Sequence, residues 1–137
     1  MTWTIWVDDW QMQCCGEPFA PGDVVAWHLL EVDPEDYADV LGGDRAAAID
    51  FREEHHGHET GPTPTRLRVL TVTEVHCRYE VPGGSTSNVR HAVPGTTELV
   101  PVRAADGWAP ARPGVDFTGY LVVTEHPPAE RPPQTRP

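Results

Sequence analysis

The sequence predicts a small, mainly β (α+β) protein, arranged as an SH3-like, partly open antiparallel β-barrel with a helical insertion. Segments of alternating apolar and polar residues recur along the chain, which is the pattern of half-buried strands. One region between them carries helix-start signals and a helical periodicity instead. The length of 137 residues, with 5 Trp, 3 Tyr and 3 Phe, is sufficient for one core rather than two. An antiparallel sandwich is the alternative arrangement.

The first predicted strand is Thr2 to Val7, where alternate side chains would share one face: Trp3, Ile5 and Val7. A turn at Pro21-Gly22-Asp23 then introduces a second strand, Val24 to Val32, which we expect to lie centrally in the sheet. The pattern Phe19-x-x-Gly22-Asp23-x-Val25-x-Trp27 is similar to the first turn of several SH3-like barrels. The segment between these strands is predicted to be a loop.

Helix signals follow the second strand. Asp33 can cap a helix and Pro34 fits its first position, which predicts a short helix that ends at about Leu41 before Gly42-Gly43. A second helix is predicted over Arg45 to His56, because apolar and histidine side chains recur there with helical spacing: Ala48, Phe51 and His55. The helical insertion therefore covers about residues 34–58.

The second half of the chain is again β-rich. Arg66 to Val81 predicts a long bent strand or a tight pair of strands, followed by strands at Thr97 to Arg103 and Thr118 to Glu125. In the long segment, one face is predicted to hold Leu67, Val69, Thr71, Thr73, Val75 and Cys77. The β-rich domain spans residues 1–126, and residues 127–137 form a Pro-rich tail predicted to be disordered.

The charge balance excludes several classes of partner. The chain has 21 acidic and 10 basic residues, all ten being Arg, and a formal net charge of −11. Because nucleic acids and anionic membranes attract clustered positive charge, neither is an expected partner. No apolar run approaches the length of a spanning helix, and no signal-peptide pattern opens the chain. We therefore expect a cytoplasmic protein whose protein or small-molecule partner the sequence leaves undetermined.

Two clusters of residues that bind soft metals stand out. The first is Cys14 and Cys15, and the second is His55, His56 and His58. Thiolate and imidazole are preferred zinc ligands, so these five residues predict one transition-metal site, with zinc as the cofactor, in a structural or regulatory role. Adjacent side chains on an extended chain diverge. Either Gly16 permits a turn that brings both sulfurs to one ion, or only one cysteine is a ligand.

Alternative interpretations of these residues remain open. The histidines could simply end a helix, and the cysteines could be buried. An odd number of cysteines in a reducing compartment favours free thiols or metal ligands over a disulfide. An enzyme could use a metal-bound water with a nearby carboxylate as general base, or a cysteine as nucleophile; the carboxylates are Glu17, Glu53 and Glu54. A peptide-binding module could use an aromatic groove formed by Trp6, Trp10 and Trp27. Cys77 is expected to be buried.

Three segments together carry a family resemblance. They are Val7-Asp8-Asp9-Trp10-Gln11-Met12-Gln13-Cys14-Cys15-Gly16-Glu17-Pro18-Phe19, the pattern Gly22-Asp23-x-Val25-x-Trp27, and Glu54-His55-His56-Gly57. The chain resembles a small family of domains of unknown function from Streptomyces and related actinobacteria. The all-Arg composition, rich in Ala, Gly and Pro, agrees with such a source. The resemblance implies no activity, so the functional argument rests on the residues above.

Overall fold

The computed structural model describes residues 1–54, 63–84, 86 and 88–127. In this part of the chain a short helix follows the first strand, two more helices precede the fourth, and the remaining elements are strands. The elements are β1 (Thr2–Asp8), α1 (Asp9–Cys14), β2 (Val24–Trp27), β3 (Leu29–Leu30), α2 (Glu35–Leu41), α3 (Gly43–Ala47), β4 (Phe51–Glu53), β5 (Thr65–Cys77), β6 (Tyr79–Glu80), β7 (His91–Ala92), β8 (Glu98–Val102) and β9 (Asp116–Glu125).

The strands form one main sheet in the order β2-β5-β9-β1-β4-β3, with β8 also paired to β5, and a separate β6-β7 hairpin. The two ends of this order, β2 and β3, are separated in sequence only by His28. The sheet therefore curls until it nearly closes, which confirms the predicted mainly β, barrel-like fold. Its pairings are antiparallel except for β1 with β4, which are parallel because a long connection containing α2 and α3 returns the chain in the same direction.

Two apolar clusters stabilise this sheet. The larger fills the barrel and includes Ile5, Val7, Leu67, Val69, Val72, Phe19, Trp27, Tyr120 and Val122. The smaller lies between the outer face of the sheet and the two-helix segment, and contains Trp6, Leu41, Ile49 and Val75. The predicted alternation of β1 is confirmed, with Ile5 and Val7 in the barrel. Trp6 points the other way and is nevertheless buried, because the helices cover it.

The second predicted helix, Arg45 to His56, is wrong beyond its first residues. Helix α3 ends at Ala47, and Phe51–Glu53 form β4 instead. Asp50 explains the change of structure: its backbone amide donates to Thr4 O (2.8 Å), and its carboxylate accepts from Thr4 N (2.8 Å). These bonds dock the chain against β1 before a further helical turn can form, so tertiary pairing overrides the helical spacing of Ala48, Phe51 and His55.

Other predicted elements also differ from the structure. The second strand is interrupted at His28, and its two parts lie at the ends of the strand order rather than at its centre. The predicted long segment is one strand up to Cys77, and its pairing with β9 shifts register between Val69 and Thr71 and again between Val75 and His76. The first irregularity leaves Leu70 as an extra residue in β5 and so reverses which of the following side chains face inward. Val72 therefore joins Leu67 and Val69 in the barrel, whereas Val75 packs on the outer face, and the single predicted face is wrong.

No helix in the described part of the chain is long and apolar enough to cross a membrane. The predicted disordered tail lies, apart from Pro127, outside the described residues.

Candidate functional site

The two adjacent cysteines lie at the end of α1, a helix that the sequence analysis treated as a loop. The helix is anchored by two buried side chains, Gln11 and Met12. Cys14 is its last residue and Cys15 follows it, and both side chains are exposed to solvent. The helix therefore presents the sulfur atoms at the surface, contrary to the alternative in which they fill the core.

Cys14 and Cys15 are joined by a disulfide, although the sequence analysis favoured free thiols or metal ligands. The amides of Cys15 and Gly16 both donate to Gln11 O, at 3.0 and 3.1 Å, and this turns the chain sharply at the helix end. Gly16 is required there: a Cβ atom at this position would lie 2.5 Å from Met12 Sδ and 2.8 Å from Met12 Cα. The chain at Gly16 therefore packs closely against Met12 of α1.

Gln11 links this helix to the end of β4. Its side-chain amide donates to Glu53 O at 3.1 Å and contacts Asp8 Oδ2 at 3.4 Å, while Trp6 Nε1 donates to Asp8 Oδ1 at 2.8 Å. The Glu53 side chain is 2% exposed. Burial, together with the neighbouring carboxylates of Glu54 and Asp8, raises the pKa of Glu53 to about 8. A protonated carboxyl is therefore held beside α1 near neutral pH.

The predicted histidine ligands, His55, His56 and His58, lie outside the described residues. The residue before them, Glu54, donates its amide to His28 O at 3.0 Å and accepts from Arg52 Nη1 at 3.2 Å. Within residues 1–54, 63–84, 86 and 88–127, no group of three or more His, Cys, Asp or Glu side chains is arranged to hold a metal ion. The described residues therefore include the two cysteines of the predicted site but none of its three histidines.

A groove of about 630 Å³ lies between Cys15 and strand β2. Its lining residues are Cys15, Glu17, Pro18, Phe19, Asp23, Val24, Val25, Ala26 and Trp27. The rings of Phe19 and Trp27 pack edge to face at 5.1 Å, and both side chains are almost fully buried, so they supply an apolar floor. The disulfide therefore adjoins a concave surface that is large enough to hold several side chains.

The predicted aromatic groove of Trp6, Trp10 and Trp27 is wrong as a set. Trp6 is buried under α2 and α3, whereas Trp27 belongs to the barrel core. Trp10 is 51% exposed and lies on α1. The three rings do not share one surface because β1 directs Trp6 to the outer face of the sheet. Of the three, only Trp27 lines the groove beside Cys15.

A buried ionisable pair that was not predicted from the sequence lies in the barrel. His76 Nε2 lies 3.0 Å from Glu74 Oε1, and the two side chains are 1% and 9% exposed. His76 also packs against Phe117 at 5.5 Å between ring centroids. The signal that would have found the pair is the i, i+2 spacing, which places both residues on one face of a strand. Cys77, next along the chain, is fully buried, as predicted.

Tyr120 extends this buried polar region towards α1. Gly107 N donates to the Tyr120 hydroxyl oxygen at 3.0 Å, and burial raises the pKa of Tyr120. A Cβ atom on Gly107 would lie 2.9 Å from Gln13 N, so the Gly107 loop packs directly on the helix that carries the cysteines. The end of α1 is therefore held by the barrel interior on one side and by β4 on the other.

Comparison with known proteins places the chain in a family without assigning an activity. No curated protein and no solved structure matches the chain significantly. A sequence model of DUF6578 matches residues 1–126, which are all of the chain except the Pro-rich tail. The chain therefore belongs to DUF6578, a family of unknown function.

Proposed function

We propose that this protein is a soft-metal-binding domain in which Cys14 and Cys15, in their dithiol form, supply the sulfur ligands. Zinc is the expected ion, and the role is structural or regulatory. The observation that carries the proposal is the position of the two sulfurs, side by side at the exposed end of α1. Thiolates bind zinc and a disulfide does not, so oxidation of the pair would release the ion.

Nitrogen ligands from His55, His56 and His58 would complete the site. The hydrogen bond from Gln11 Nε2 to Glu53 O supports this part of the proposal, because it fixes the chain just before the histidines against the cysteine helix. His55 is only two residues beyond Glu53, a separation of at most about 7 Å along the chain. A metal bound by both clusters would tie the segment after β4 to α1. Binding would then stabilise the fold, and the redox state of the cysteines would regulate it.

The proposal includes a cytoplasmic location and an actinobacterial source. A cytoplasmic location keeps thiols reduced, so the metal-bound form would be the resting state and the disulfide a response to oxidation. An actinobacterial source accords with the all-Arg composition. The net charge of −11 supports a partner other than nucleic acid or an anionic membrane.

Metal analysis of the reduced and oxidised protein tests the proposal. The untagged protein is reduced, loaded with zinc, freed of excess and analysed for metal; a second sample is first oxidised to the Cys14–Cys15 disulfide. We expect about one zinc per reduced chain and almost none in the oxidised chain, with a higher Tm for the loaded form.

Single substitutions identify the ligands. Cys14→Ser, Cys15→Ser and alanine at each of His55, His56 and His58 should weaken zinc binding in a chelator competition. The exposed His91 is the matched control, and His91→Ala should leave the affinity unchanged. Absence of zinc from the reduced wild type under metal-replete conditions would exclude the proposed function.

A further inference from the structure

The groove beside the disulfide runs along an open edge of the main sheet. All four residues of β2 line it: Val24, Val25, Ala26 and Trp27. Successive side chains of a strand point to opposite faces, so a groove that is lined by four consecutive residues lies along the edge of that strand. The other edge of β2 is paired with β5, from Val24 opposite Arg68 to Trp27 opposite Thr65. Among the described strands, none pairs with the edge that faces the groove.

The walls of the groove define the chemistry of an occupant. The floor is apolar, with Phe19 and Trp27, and the rim carries the carboxylates of Glu17 and Asp23. Among the described residues that line the groove, none is basic. An open strand edge pairs with an extended polypeptide through backbone hydrogen bonds, and a four-residue strand offers about 13 Å for this pairing. The acidic rim favours a positively charged segment over an acidic one.

Cys15 supplies the reactive end of the groove. It lines the groove, whereas its disulfide partner Cys14 does not. We propose that this groove binds an extended, positively charged polypeptide segment carrying cysteine, and that the segment exchanges thiol for disulfide with Cys14–Cys15. This activity is separate from metal binding, since it uses the oxidised pair and needs no metal.

The exchange balances without another reactant. A thiolate of the bound segment attacks Cys15 Sγ, forms a mixed disulfide and breaks the Cys14–Cys15 bond, and Cys14 leaves as a thiolate that takes up a proton. A second thiolate of the same segment then attacks the segment's first cysteine sulfur, which is bonded to Cys15 in the mixed disulfide. Cys15 is released as a thiolate. The segment loses two electrons and gains a disulfide, while the protein disulfide gains two electrons and becomes a dithiol.

The single-cysteine variants separate directed exchange from random collision. Cys14→Ser retains the sulfur that lines the groove and Cys15→Ser retains the one that does not; both changes are at exposed positions. Each variant is mixed with a synthetic peptide of β-forming residues that carries Arg and one cysteine activated as a 2-pyridyl disulfide. The released pyridine-2-thione reports the rate at which the remaining cysteine captures the peptide. Small dipyridyl disulfide, which needs no docking, gives the intrinsic reactivity of each thiol.

After correction for intrinsic reactivity, Cys14→Ser should capture the Arg peptide roughly 10-fold faster than Cys15→Ser, because electrostatic steering and docking raise the local concentration at the groove. A matched peptide with Glu in place of Arg should lose most of this advantage, as should the Arg peptide at high salt. N-methylation of alternate peptide amides should slow capture, since it removes donors to the strand edge. The further change Glu17→Lys should reduce the preference for Arg.

Equal corrected rates for the two variants would overturn the proposal, as would indifference to peptide charge and N-methylation. Concentration-dependent dimerisation of the oxidised protein, with the amides of β2 protected from hydrogen exchange, would also overturn it by showing that a second copy covers the edge. Metal analysis of the reduced protein does not involve this groove chemistry, so failure of one proposal leaves the other standing.

Discussion

In the described part of the chain, two groups of reactive side chains differ in their access to solvent. At the end of α1, Cys14 and Cys15 are exposed and bonded to each other beside an open groove. On β5, Glu74, His76 and Cys77 are buried; Glu74 and His76 contact each other, and Cys77 contacts Thr96. The same kinds of side chain therefore serve different purposes. Those on β5 have partners inside the protein, whereas those on α1 are exposed to solvent.

Breaking the buried pair should have the largest effect on stability. His76→Ala removes the partner of a buried carboxylate and leaves a cavity beside Phe117, so we expect a loss of about 3–5 kcal/mol in the free energy of unfolding, measured in urea. Glu74→Gln keeps a hydrogen-bonding group in place and should cost only about 1 kcal/mol. His91→Ala, at an exposed position, serves as the control. A loss below about 1 kcal/mol for His76→Ala would show that the barrel does not depend on this pair.

Glu53 ends β4 beside α1, and its effect on stability should depend on pH. Burial raises its folded-state pKa from 4.5 to about 8, so the folded protein holds this proton more tightly than the unfolded chain. The stabilising contribution is complete below the unfolded pKa and is lost as the pH rises through the folded value. Glu53→Gln should therefore flatten the fall in stability between roughly pH 4.5 and 8.

Between low pH and pH 8, the stability of Glu53→Gln should rise relative to that of the wild type by up to a few kcal/mol, because each unit of pKa shift corresponds to about 1.4 kcal/mol. Urea unfolding of both proteins across this pH range gives the comparison. The exposed Glu31 provides the matched change, and Glu31→Gln should follow the wild-type curve. Parallel curves for wild type and Glu53→Gln would contradict the raised pKa.

The cysteines of α1 should have the smallest effect on stability and the largest on reactivity. The double variant Cys14→Ser/Cys15→Ser should change the free energy of unfolding by about 0.5 kcal/mol or less in the absence of metal, since both positions are exposed and the disulfide closes almost no loop.

After reduction, a thiol reagent should label Cys14 and Cys15 in the native protein, and Cys77 only on unfolding. Mass spectrometry of the labelled chain distinguishes the three sites. Rapid native labelling of Cys77 would remove the contrast between the two regions.

Much of the β framework could be predicted from local pattern. The alternation of β1, the strand that ends at Glu125 and the first helix after Asp33 are confirmed, because side-chain periodicity and capping residues act over short distances. Predictions that depended on extending a pattern were less successful. The predicted inward face of β5 was wrong because the register shift after Val69 leaves no clear mark in the sequence. The predicted continuation of the helix beyond Ala47 was wrong because Asp50 bonds to β1.

The candidate site shows the same division. The sequence by itself determined that two thiols and a glycine stand together in an acidic chain, and that such thiols suit a soft metal. It also determined that Cys77 is buried. The tertiary structure decided that α1 exposes the pair, that Gln11 links it to β4, and that the edge of β2 forms a groove beside Cys15. Those features arise from contacts between segments that are distant in sequence, and local residue preferences do not encode such contacts.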